Sequence, residues 1–99
     1  MRLIMVRARV RDDSIDEIEA AGRTLFSALE REQPHGIRYA SCRLSDGVTY
    51  LNILGLQDGV ANPLSALPEA RAFQENLRSW LAEPAASEPL TVVGTYRLF

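Results

Sequence analysis

Apolar and polar side chains alternate from Arg2 to Arg11: Ile4, Val6, Ala8 and Val10 fall on one side, and Leu3, Met5, Arg7 and Arg9 on the other. That period of two predicts a first strand whose even-numbered face presses against helices. The period then lengthens. After Asp12-Asp13-Ser14, residues Ile15, Ile18, Leu25, Phe26 and Leu29 recur at helical spacing, with Gly22 among them. They predict an amphipathic helix of roughly eighteen residues. Ser14 followed by Glu17 reads as a capping box, and Gly22 suggests a close approach to the sheet. Gln33-Pro34-His35-Gly36 stops the helix, because proline cannot continue its hydrogen bonding and glycine relieves the turn.

Two strand-like runs follow, IRYASCRL from Ile37 and VTYLNILGL to Leu56, joined by Ser45-Asp46-Gly47. Asp-Gly between such runs is a strong hairpin signal, since glycine accepts the positive φ of a tight reversal. Tyr39, Ser41 and Arg43 face away from Ala40, Cys42 and Leu44, while Leu51 and Ile53 alternate with Tyr50, Asn52 and Leu54. A loop from Gln57 to Pro63 leads to a second helix over Leu64 to about Ala82, with a short turn before Pro68 and a buried stripe of Phe73, Leu77, Trp80 and Leu81. Glu83 to Pro89 reads as a connection, and Leu90 to Phe99 as the last strand, pinned by an external contact because free termini fray.

The order is therefore βαββαβ within one domain, residues 1–99. Right-handed crossovers arrange it as a four-stranded antiparallel sheet, order 4-1-3-2, with both helices on one face. The other face, carrying Leu3, Met5, Leu54 and part of the last strand, is left for a partner, and a homodimer that stacks two such faces covers it.

Composition narrows the classes of function. All eleven basic residues are arginine, and against thirteen acids they leave a net charge of −2, which argues against a nucleic-acid partner. One cysteine, Cys42, permits no internal disulfide and fits a reducing, cytoplasmic setting as a buried, inert thiol. The N-terminal run is too short and too basic for a secretory signal, and no stretch is apolar for long enough to enter a membrane.

Little in the chain carries recognisable catalytic chemistry. His35, the only histidine, lies in a turn, and no metal-ligand spacing surrounds it, so neither a metal nor another cofactor is expected. Asp12-Asp13 and Asp16-Glu17 serve the helix start, and Trp80 packs in the core. The informative polar set is Arg7, Arg9, Tyr39, Arg43, Tyr50, Asn52 and Arg97, expected to converge on the inward face of the sheet. There they would bind a small aromatic or anionic ligand, arginine pairing with a carboxylate or enolate. The bland alternative is that these arginines form ion pairs across the dimer or sit at its rim in water.

The element order, together with the run from Asn62-Pro63-Leu64-Ser65 to Asn76-Leu77, resembles the dimeric α/β-barrel superfamily that includes the antibiotic biosynthesis monooxygenases. The resemblance implies an α+β, ferredoxin-like protomer, a two-sheet dimeric barrel and, in some members, oxygenation of quinols without metal or flavin. It departs from the family in having no histidine in the second helix. The first strand also lacks the asparagine of the haem-degrading members, which disfavours haem chemistry. Two expectations result: a cofactor-independent monooxygenase-like enzyme acting on a small aromatic substrate, or a non-catalytic homodimeric ligand-binding or structural module.

Overall fold

The computed structural model describes residues 1–98. Strand β1 (Arg2–Arg9), helix α1 (Ile15–Glu32), strands β2 (Ile37–Arg43) and β3 (Thr49–Leu56), helix α2 (Pro68–Trp80) and strand β4 (Ala86–Leu90) follow one another in the predicted βαββαβ order. All strand pairs are antiparallel, in the order β2-β3-β1-β4. Both helices pack on the face that carries Val10, Tyr39 and Tyr50. This is a ferredoxin-like α+β fold.

The hairpin between β2 and β3 is held by its own acid. Asp46 Oδ1 accepts hydrogen bonds from the backbone N–H groups of Val48 and Thr49, and Oδ2 accepts one from the Thr49 hydroxyl at 2.6 Å. Gly47 supplies the positive φ of 79°. The Thr49 hydroxyl and these amides hold the Asp46 carboxyl below the usual carboxylate range. A depressed pKa stabilises the fold above the unfolded value near 3.8, and that stability is lost as pH falls through the folded value. Thr49→Val removes the largest cause of the depression. Thermal melts should show a midpoint a few degrees lower at neutral pH, and a difference from the parent that shrinks in acid.

The core has two adjoining patches. One lies between the helices, where Leu25 meets Leu67, Ala70, Phe73 and Leu77; the other joins Val10, Ile18 and Tyr50. Trp80 and Leu81 border both, and Trp80 meets Phe73 edge-on at 6.5 Å. Backbone bonds from Arg11 N–H to Trp80 O and from Ala82 N–H to Arg9 O fasten the end of α2 to the first strand.

Several expectations are corrected. The last strand is Ala86–Leu90, of which the residue pattern had read all but Leu90 as a connection; of the strand expected from Leu90 to Phe99, residues 91–98 form no strand and Phe99 lies outside the described residues. Pairing, not propensity, decides this: β1 has one free edge, and Ala86–Leu90 reaches it first. Pro89 is admissible because β4 is an edge strand. Leu54 lies opposite Ile4 and Tyr39 and so shares the helix-covered face, leaving Leu51 and Ile53 on the open one. Ser14 does not cap α1; a single turn of 3-10 helix, Asp12–Ser14, leads in, and the buried Ser14 hydroxyl donates to Asp13. Cys42 is exposed on the open face rather than buried.

Candidate ligand site beneath the helices

The sheet does not meet α1 along its whole length. Ala8 on β1 and Gly22 on α1 are too small to close the gap, and a cavity of about 320 Å³ remains between sheet and helices. The close approach expected at Gly22 is absent: a Cβ built there meets nothing within 4 Å. Gly22→Ala should therefore stabilise the protein by about 0.5–1 kcal/mol through helix propensity alone. Gly22→Phe should instead occupy the cavity and exclude ligands; calorimetry and ligand titration separate the two effects.

The cavity wall is polar toward β2 and β3. Tyr50 donates its hydroxyl to Glu19 Oε2 at 2.9 Å, and Arg43 Nη1 pairs with the same oxygen at 3.0 Å. One carboxylate thus ties helix to sheet and neutralises the arginine. Asn52 and Ser41 line the same space, and Tyr39 stacks on Phe26 with ring centroids 5.4 Å apart. Burial pushes the Tyr39 phenol above its ordinary pKa. Burial, then the bond to Glu19, does the same for Tyr50. Both phenols are consequently neutral hydrogen-bonding groups at neutral pH.

A second chamber, of about 600 Å³, lies beneath α2 and is walled by Ile4, Val6 and Leu54 from the sheet. Leu25, Tyr39, Asn52 and Leu77 line both spaces, so the chambers adjoin. Each volume falls within the roughly 300–1,000 Å³ of small-molecule sites.

Of the seven residues singled out from the sequence, Tyr39, Arg43, Tyr50 and Asn52 come together here. Their face is the helix-covered one, not the open face on which the set was expected to converge. Arg7 and Arg9 alternate with Ala8 and point to the open side, where both are exposed. Arg97 lies in the C-terminal segment, with its guanidinium 5.2 Å from the centre of the Tyr96 ring. Glu19, Ser41, Gly22 and Phe26 went unnoticed as site residues. The signal for Glu19 was present: with Ile15, Ile18, Gly22, Leu25 and Phe26 it keeps core spacing, so a carboxylate stands on the buried stripe of α1. Trp80 packs in the core, as its spacing indicated. Among the described residues no group of three or more His, Cys, Asp or Glu is placed to hold a metal ion, and no helix is long and apolar enough to cross a membrane.

The fold class is that of the antibiotic biosynthesis monooxygenase-like structures. A solved antibiotic biosynthesis monooxygenase superposes with a TM-score of 0.79 at 14% identity, over 95% of this chain and 100% of that one. SnoaB, a cofactor-independent oxygenase from Streptomyces nogalater, gives 0.70 at 17% identity, over 97% and 96%. A protein of Mycobacterium tuberculosis gives 0.74 at 16% identity, over 95% and 96%. No family model and no curated protein matches the sequence. At these identities the likeness establishes the fold.

Proposed function

We propose that the cavity beneath α1 binds a small phenolic or quinol-type aromatic and promotes its oxygenation by O2 without a cofactor. The observation that carries this reading is the polar wall itself: two neutral phenols, the Asn52 amide, the Ser41 hydroxyl and the paired Glu19 and Arg43 stand on one side of an apolar space. Such a wall suits a neutral ring that must lose a proton before it reacts. The Asn52 amide and the Tyr39 hydroxyl are donors for the developing phenolate oxygen, and Glu19, held by Arg43 and Tyr50, is the carboxylate on this wall that would accept the proton. Because Arg43 is already paired, this chamber favours a neutral head group over the anionic one anticipated from the arginine count. For a methylene flanked by aromatic rings the reaction balances as CH2 + O2 → C=O + H2O. The substrate supplies the electrons, and one oxygen atom leaves as water. SnoaB, described as a cofactor-independent oxygenase, shares the fold.

The protein is further proposed to act as a homodimer. The open sheet face presents Met5, Leu51 and Ile53, and Val93, Tyr96 and Leu98 of the C-terminal segment are exposed. A second copy would cover both.

Oxygen uptake with 1,8-dihydroxyanthrone as substrate tests the activity. The expected result is enzyme-dependent consumption of one O2 per anthrone, with a single atom from labelled O2 in the product. Uptake no faster than in buffer, despite anthrone binding in the cavity, would overturn the catalytic reading in favour of a ligand-binding module.

A further inference from the structure

The chamber beneath α2 differs from its neighbour in charge. Arg71, Gln74 and Arg78 line it at intervals of three and four residues, one face of α2, and no carboxylate is among the groups that line it. Neither arginine has an ion-pair partner among the described residues, and of the arginines without one these two line a chamber together. The opposite wall is apolar, formed by Ile4, Val6 and Leu54. An apolar slot with two uncompensated guanidinium groups at one side favours an amphiphile with an acidic end.

We propose that this chamber is the subsite for the carboxylate-bearing end of an elongated aromatic ligand whose neutral head occupies the chamber beneath α1. The inference rests on the aromatic site proposed above and adds the ligand's length, polarity and direction. Asn52 and Tyr39 line both chambers and stand where the body of the molecule passes from one to the other. Charge sets the orientation. An acid placed in the first chamber meets the Glu19 carboxylate with Arg43 already paired to it, whereas in the second it meets Arg71 and Arg78 with no carboxylate in the lining. Both arginines are solvent-exposed, so the attraction is moderated by water and weakens with salt.

The test uses the full chain and two fluorescent probes of the same shape, anthracene-2-carboxylate and the neutral anthracene-2-carboxamide, titrated by fluorescence anisotropy at low ionic strength. The acid should bind about tenfold more tightly than the amide. The Arg71→Gln/Arg78→Gln variant should remove that lead while leaving amide affinity unchanged, and its circular dichroism should match the parent. Equal binding of the two probes to the parent would overturn the subsite and leave the aromatic site standing. So would an acid preference that survives the double substitution. Binding of neither probe would overturn the subsite and the aromatic site together.

Discussion

Phe73→Ala should leave the protomer barely folded. The ring is nine-tenths buried, packs into the seam between the helices and meets Trp80 edge-on. Truncations of buried phenylalanine cost about 3–5 kcal/mol, the lost transfer energy being increased by the void left behind. Small domains hold only about 5–15 kcal/mol in total, and Phe73 and Leu77 of that seam also line the chamber beneath α1. Denaturant titration followed by circular dichroism should show a transition shifted far toward zero denaturant. A midpoint close to the parent's would mean that the contact between α1 and α2 is not what stabilises the helical layer.

A chain ending at Leu90 should be monomeric. The truncation retains β4 and every strand pair of the sheet, so the protomer keeps its architecture. It loses Val93, Tyr96 and Leu98, whose side chains are exposed and have no place in the protomer's own core. If a partner buries Val93 and Leu98, each contributes about 1.5–3 kcal/mol. At about 1.4 kcal/mol per tenfold, their loss would weaken the proposed dimer more than a hundredfold. Light scattering on a size-exclusion column reads the result directly as mass. A truncated protein that remains dimeric at micromolar concentration would exclude the C-terminal segment from the interface.

Much of the architecture was legible because it depends on periodicity. The alternation in β1, the Asp46-Gly47 reversal and the stripe of α1 each survive in the folded chain, since each satisfies a local demand of backbone and burial together. The final strand was not legible. TVVGTYRLF has the better strand composition, yet ASEPL pairs, because a free edge of β1 lies within reach of the short connection after α2. The site was half legible for a related reason. Tyr39, Arg43, Tyr50 and Asn52 share one face by strand alternation, but which face the helices would cover depends on register across β3, and register is a tertiary quantity. Arg97 was misplaced with the strand that was expected to carry it.

Pro89 bears on how copies of this chain can add to one another. β4 is one of the two edges of the sheet, where a further strand could dock and begin open-ended growth. Proline removes one N–H from that edge, and Glu88 beside it adds a charge. Edge-to-edge polymerisation is therefore disfavoured there, which leaves the open face for the second copy proposed above, an arrangement that would close at two.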